Sequence, residues 1–508
     1  MAVCLEVERA SPSMLRSALS SVAVSVLGVT LGFVSVPVML SGLGYADYGA
    51  YSIAFTVAGY GAFLDLGFGW AGMRFVAEAH ARQDREAVVG VLWALVLYQA
   101  AIGGAVLVLL VVAADRLGHW LVAGPGADAA RIAAVLPIAG VWFAISGLNG
   151  IFLAMLRGVG RYGAAAVVAG TMVLLGVGGG ALLVGQGHGL RAAALCQVGG
   201  ALAAAGFALV ALRDLLGARL HGPAASAGQL RRMVSFSLWS FLSRLVQVAI
   251  LQGDKVIVAR VGGATGLASY VVPFGVAQRL NVLGAAAVTA VYPVAAGRSQ
   301  SRSEFLESYF RAARVVHLFT AAPAIALLVW APLFLHSWIG PEMAASGSGF
   351  LRALAVGYWV VSVASVEAGC LEGWGHPRIT ALAASASLAV AAVVATALAM
   401  TGGRLWAVAG AVSAWMVTTG LVTVIAWYRV SGFPAARFWN ELVRPIAEMV
   451  VLAVVVAEVS GGWLAPGPWG LLACAGLVAL LLAYGFVRLF PRGEGRALLG
   501  RVVRATAS

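Results

Sequence analysis

Two arginines lie deep inside long apolar stretches, where a charge is costly. Arg244 follows Arg232, and Arg279 precedes Pro293, each by several helical turns. At the rise of an α-helix these separations correspond to about 18 Å and about 21 Å. At similar depth on neighbouring helices, two guanidinium groups could bind a phosphate through paired hydrogen bonds. The alternative is that each arginine forms a structural ion pair with a buried carboxylate.

Two acidic residues also lie well inside apolar stretches. Asp65 precedes Arg74, and Glu367 precedes Arg378, by intervals that correspond to roughly 14–17 Å of helix. An ionisable group at such depth is expected to face a protein interior or a water-filled cavity. These carboxylates could bind a coupled proton or sodium ion, or they could simply balance the buried arginines.

A third charged group is the dipeptide Asp254-Lys255, which also follows Arg232 along the chain. The interval corresponds to about 33 Å of helix, so the pair is expected near the outer membrane interface. It is interpreted either as an interfacial anchor or as part of a gate between two halves of the chain.

The sequence contains none of the common motifs of ATP hydrolysis or metal catalysis. GxxxxGK[ST], HExxH and CxxC are all absent, and the four cysteines lie far apart. We therefore expect no enzyme activity, no catalytic residue, no metal and no cofactor.

The elements that position these residues are apolar helices. Hydrophobic residues make up 61% of the 508 residues and charged residues only 10%, whereas a soluble domain has about 25% charged residues. A helix of about 20 apolar residues spans a bilayer, and the sequence lacks the alternation of a β-barrel. Fourteen windows of this kind predict an all-α polytopic membrane protein: 17–41, 47–70, 87–113, 132–156, 162–185, 190–212, 233–259, 265–294, 315–337, 348–370, 379–400, 404–428, 445–460 and 468–487.

The basic residues predict the topology. Short cytoplasmic loops are rich in Lys and Arg. Both ends of the chain and alternate loops hold 24 of the 33 basic residues, and the opposite loops and span ends hold seven. This pattern favours an even number of spans in the inner (cytoplasmic) membrane, with both termini in the cytoplasm. Because most of the net charge of +13 is topology signal, we expect membrane lipids rather than nucleic acid as the partner of the chain.

The chain also repeats itself at a fixed offset. The matched positions are Gly44 with Gly263, Tyr51 with Tyr270, Phe55 with Phe274, Val57 with Val276 and Ala58 with Ala277. An even number of spans per repeat makes the two halves parallel. The predicted division is a six-helix half over 1–212, a cytoplasmic linker over 213–232, a second six-helix half over 233–428, and two further helices with a basic tail over 429–508.

Three short motifs carry a resemblance to a known family. They are LGYADYGAY at 43–51, LDLGFG at 64–69 followed by Arg74, and DKVIVARVGG at 254–263. The chain resembles the polysaccharide-repeat (O-antigen type) flippases of the multidrug/oligosaccharidyl-lipid/polysaccharide exporter superfamily. The third motif departs from the family pattern, since Ala259 replaces a usual glycine, and the resemblance assigns no gating role to Arg260.

The resemblance implies a fold and a mechanism. Two pseudo-symmetric six-helix halves would enclose a central cavity that opens alternately to each side. A polyprenyl-diphosphate-linked oligosaccharide would be the substrate, with Arg244 and Arg279 as candidates for binding its diphosphate by their depth. Polysaccharide polymerase and glycosyltransferases would be its partners.

Two other functions stay open within the superfamily. One is a drug/cation antiporter, which is expected to bind cations at acidic residues of the first half, where Asp65 is a single candidate. The other is a flippase for a lipid-linked peptidoglycan precursor.

Overall fold

Every regular element in the described part of the chain is a helix, as the composition predicts. A computed structural model describes residues 12–61, 68–122, 126–216, 227–282, 302–400, 403–433, 435–460 and 466–490. Eleven of the described helices are long and apolar enough to cross a membrane. Helices suit that environment because they satisfy every backbone hydrogen bond within one segment. The prediction of an all-α, multi-span membrane protein is confirmed.

The helices are numbered α1 to α14 in chain order. In the first part of the chain they are α1 (Pro12–Gly59), α2 (Phe68–Ala81), α3 (Arg85–Val112), α4 (Ala114–Leu121), α5 (Gly126–Gly158), α6 (Tyr162–Gly185, with a π-helical segment Met172–Gly178), α7 (Leu190–Leu216) and α8 (Ala227–Gln278). In the second part they are α9 (Arg302–Trp338), α10 (Pro341–Gly373), α11 (Pro377–Met400), α12 (Arg404–Ser431), α13 (Ala435–Phe438, π-helical Trp439–Val443 and Arg444–Ser460) and α14 (Pro468–Leu489).

Two of these helices, α1 and α8, bend sharply at a glycine. Gly44 has φ 76° and ψ 170°, and Gly263 has φ 67° and ψ −171°. This combination is open essentially to glycine alone, because a Cβ atom would clash with the backbone. The two bends occupy the first matched pair of the sequence repeat. Each bend separates two predicted spans, so the predicted breaks after 41 and after 259 coincide with the bends.

The described residues form two compact units. The N-terminal unit ends at Ala268 and the C-terminal unit begins at Ser269, both within α8. The core of the N-terminal unit is built from α2, α3, α5, α6 and α7, and includes the buried side chains of Leu95 and Met155. Half of the predicted linker 213–232, residues 217–226, lies outside the described residues, and its two ends belong to α7 and α8. The predicted domain division stays a prediction.

The core of the C-terminal unit has two parts. An aromatic cluster joins α9, α10, α12, α13 and α14 around the fully buried Trp427. A second cluster of smaller side chains joins α9 to α13 and α14. These clusters hold the two last helices against α9, and Tyr309 of the aromatic cluster contacts the carboxyl of Glu367.

Candidate functional site

Arg279 lies at an interruption of the helix that was expected to continue to residue 294. The helix α8 ends at Gln278, and the amides of Arg279 and Leu280 donate to carbonyls three residues earlier. The guanidinium of Arg279 is exposed, and no described carboxylate lies within ion-pair distance of it. Broken helices at membrane depth often carry transport sites, because their backbone and side chains face a cavity.

The interrupted turn is held by the neighbouring helix α10. The hydroxyl of Ser362 lies 3.0 Å from the carbonyl oxygen of Leu280 and 3.3 Å from Oδ1 of Asn281. It also lies 2.6 Å from the carbonyl oxygen of Tyr358, four residues earlier in α10. This serine is fully buried, so the turn that carries Arg279 is fixed on its inner side.

The second candidate for diphosphate binding, Arg244, lies in α8 within the N-terminal unit. Its side chain is outside the described part of the structure. The predicted pairing of Arg244 with Arg279 therefore stays a prediction.

Glu367 is fully buried in the C-terminal unit and is not paired with a described cation. The hydroxyl of Tyr309 donates to its Oε1 at 2.7 Å, while Oε2 has no hydrogen-bond partner among the described residues. An ionised carboxylate with a single neutral donor would be strongly disfavoured in such surroundings. A protonated carboxyl fits this site better, because it carries no charge. The other acidic candidate, Asp65, lies outside the described residues.

Asp254 and Lys255 form a buried ion pair inside the N-terminal unit. Their side-chain atoms Oδ1 and Nζ are 3.2 Å apart, and the residues are 3% and 6% exposed. The pair precedes the bend at Gly263 by about 13 Å of helix. The two side chains are enclosed by protein, and their role as an interfacial anchor or a gate stays a prediction.

Sequence reasoning missed Arg352, an arginine within the span α10. Its Nε donates to the carbonyl oxygen of Leu328 at 2.9 Å, and its Nη2 donates to that of Val329 at 3.3 Å. Pro332 has no amide hydrogen, so the carbonyl of Leu328 loses its normal helical partner. Arg352 thus satisfies the carbonyls at a break in α9, where Trp330 departs from helical geometry. Pro332 was the only sign in the sequence that the carbonyl of Leu328 would need a partner from outside the helix.

A second missed group links α9 to α13 through charges. Glu441 lies 2.5 Å from Arg314 Nη2 and 2.6 Å from Arg437 Nε, and Arg437 also contacts Glu307 at 2.7 Å. Burial would raise the pKa of Glu441, but the two arginines outweigh it and hold the pKa below its ordinary value. This carboxylate therefore stays ionised at neutral pH.

A third missed group joins α5 to the bend of α8. Arg131 Nε lies 2.9 Å from Asp47 Oδ1, and Arg131 Nη1 lies 2.7 Å from Asp128 Oδ1. The other oxygen of Asp128 accepts from the amide of Ala264 at 3.4 Å. The described residues contain no group of three or more His, Cys, Asp or Glu that could hold a metal ion.

Comparisons with known proteins agree with the fold. A curated relative, the "Putative O-antigen transporter" of Shigella flexneri, is 22% identical over 71% of this chain and 83% of its own length. The solved structure "Lipid II flippase MurJ, inward closed conformation" matches at a TM-score of 0.70 and 14% identity, over 93% of this chain and 98% of its own. An inward-facing multidrug resistance MATE family transporter of the MOP superfamily matches at a TM-score of 0.64 and 17% identity, over 79% and 94%.

The family described as "Polysaccharide biosynthesis protein" matches residues 14–297, which is more than half of the chain. The match includes α1 and α8 with both glycine bends, and it reaches beyond Arg279. The chain therefore belongs to the polysaccharide biosynthesis protein family.

Proposed function

We propose that this protein is a flippase that carries a polyprenyl-diphosphate-linked oligosaccharide across the cytoplasmic membrane by alternating access. The observation that carries the proposal is Arg279. It is an exposed arginine at a broken membrane helix, without a described carboxylate partner. At the depth expected from the sequence, an exposed guanidinium favours an anionic partner, and a diphosphate accepts several of its hydrogen bonds at once.

The family match and the O-antigen transporter relative support the same substrate class. The sequence contains no ATP-binding loop, so an ion gradient or consumption of the product would drive transport. In this proposal the membrane is the inner one, both termini are cytoplasmic, and the bends of α1 and α8 face outward. Glycosyltransferases that build the substrate and a polymerase that consumes it would be the working partners.

The role of Arg279 is tested with Arg279→Ala, and Arg378→Ala is the matched control because Arg378 is also exposed and lies in the same unit. The assay reconstitutes each variant in vesicles and follows the flipping of a fluorescent polyprenyl-diphosphate disaccharide. Losing one charge-assisted contact should lower the apparent affinity for the probe about tenfold or more. The assignment is wrong if Arg279→Ala and Arg378→Ala behave alike at equal expression.

Glu367 is the proposed site of the coupled ion, and its single neutral partner supports a proton rather than charge balance. The variant Glu367→Gln keeps the shape of a protonated carboxyl but cannot release a proton. Its transport should no longer respond to an imposed pH gradient, while Glu342→Gln, an exposed position on the same helix, should respond normally. An unchanged response in Glu367→Gln would leave charge balance as the better account.

A further inference from the structure

The bend of α8 is held by contacts that have no role in the function proposed above. Gly263 ends one straight part of α8, and Ala264 begins the next. The first amides of a helix lack partners within the helix and carry a partial positive charge. The carboxylate of Asp128, which belongs to α5, supplies a partner for the amide of Ala264.

Asp128 is itself fixed by Arg131, which also binds Asp47 just beyond the bend of α1. Both bends are therefore tied to one arginine–aspartate group of α5. The three side chains are only partly exposed, with 17% of Asp128 and 41% of Arg131 accessible. Such partial burial makes these ion pairs stronger than fully solvated ones.

Two further contacts fasten the same stretch of α8. Arg260 donates to the carbonyl oxygen of Trp120 at 3.3 Å, and its guanidinium lies 5.2 Å from the centre of the Trp120 ring. On α1, Gly49 packs directly on the carbonyl of Ala264, so closely that a Cβ atom at position 49 would collide with that oxygen. Only glycine permits this approach.

We propose that Asp47, Asp128, Arg131 and Arg260 form a latch that holds residues 260–264 of α8 against α1, α4 and α5, and that this latch must open in each transport cycle. The proposal rests on the proposed function for its role in the cycle and on the orientation given there for its place at the outer end. All of its contacts lie within the N-terminal unit. The latch joins the two glycine bends through side chains of α5 and α8, and its release lets α1 and α8 separate.

The first test locks the latch. The cysteine pair Asp128→Cys/Ala264→Cys is made in a background whose four native cysteines are alanine, because the side chain of Asp128 already reaches the backbone amide of Ala264. Oxidation should cross-link the pair and stop flipping of the fluorescent polyprenyl-diphosphate disaccharide, and a reductant should restore it. Flipping at the same rate in the cross-linked protein and after reduction would overturn the proposal.

The second test needs no substrate. Asp128→Asn should raise amide hydrogen exchange in the segment 260–268 by roughly tenfold, whereas Asp115→Asn, an exposed aspartate of α4, should leave it unchanged. Equal exchange in both variants would overturn the latch. If exchange rises as expected but the wild-type protein does not flip the probe, the proposed function fails while the latch stands.

Discussion

The two glycine bends allow a prediction that depends on the backbone alone. We expect Gly44→Ala and Gly263→Ala each to destabilise the protein by about 1–3 kcal/mol, the cost of holding a residue with a Cβ atom in this glycine-only region. Apart from adjacent backbone, no heavy atom of the described residues lies within 4 Å of a Cβ added at Gly44, and the nearest to one added at Gly263 is Asp128 Oδ2 at 3.4 Å. Steric contact therefore adds little, and the two losses should be similar.

The control is an alanine at a helical glycine with open space around it. At Gly104 in α3 and Gly206 in α7, the described part of the chain places no atom outside the same helix backbone within 4 Å of an added Cβ. Alanine there should be neutral or stabilising by up to about 1 kcal/mol, because it is the better helix former. The bend variants should thus fall below these controls by about 1–4 kcal/mol.

Thermal unfolding in detergent measures the difference. For folding units of about 150–250 residues, 1 kcal/mol changes Tm by about 2–4 °C, so each bend variant should melt several degrees below both controls. If Gly44→Ala and Gly263→Ala melt with the controls, the backbone at these positions is not in the glycine-only region. The structural equivalence of the two bends would then be refuted.

Three further predictions concern single contacts. Gly49→Ala forces its Cβ against the carbonyl of Ala264, and overpacking of about 1–3 kcal/mol should raise hydrogen exchange at the α8 bend relative to Gly104→Ala. The pKa of Glu441 is lowered in the folded protein, so its contribution to stability is present above the unfolded pKa of about 4.3 and is lost as the pH falls through the lower folded value. The difference in Tm between the wild-type protein and Glu441→Gln should therefore be constant above about pH 5 and should shrink in acid. Arg352→Leu removes the side-chain donor from two carbonyls of α9, so its Tm should fall by a few degrees. The control variant Arg404→Leu should keep the Tm of the wild-type protein.

The sequence predicted the helical class and the breaks between spans because both depend on local patterns. Hydropathy marks each apolar helix, and a glycine in register with its counterpart in the other repeat marks each bend. Glycine tolerates the conformation of Gly44 and Gly263, although the presence of a glycine does not by itself require a bend. These features need no knowledge of which helices are neighbours.

Partners of charged residues could not be predicted in the same way. Arg131 and Asp128 lie between two predicted spans, so the sequence places them in a loop. Their contacts with Asp47 and Ala264 exist only because α5 packs beside α1 and α8. Glu367 is fully buried, but nothing in the sequence indicates that Tyr309, far away along the chain, is its hydrogen-bond donor. Such pairs depend on tertiary packing rather than on spacing.

The helix break at Arg279 was not predicted, and the reason is different. The window 265–294 is strongly apolar and contains no proline between Pro273 and Pro293, so its composition predicts an unbroken helix around Arg279. The turn that replaces the helix is supported by the hydroxyl of Ser362, which belongs to α10. A helix can end without a local signal when a neighbouring helix supplies polar partners for its backbone.

The two repeats share their bends but use the following helical turns differently. After Gly263, the rings of Tyr270 and Phe274 are buried, and they pack edge-on against Phe350 and Tyr358. The same turns after Gly44 are less enclosed.

In α1 the matched Tyr51 and Phe55 are only half-buried. Phe55 meets the edge of Trp142, and the hydroxyl of Tyr51 accepts a hydrogen bond from Gln197 at 2.7 Å. Separating a half-buried ring from its neighbour exposes less apolar surface than removing a ring from a core, and the free-energy cost is proportionally smaller. We therefore expect the helical turns after Gly44 to shift more easily than those after Gly263. This assigns the mobile side of the latch to α1, and a spin label on α1 after Gly44 should report larger changes during transport than one on α8 after Gly263.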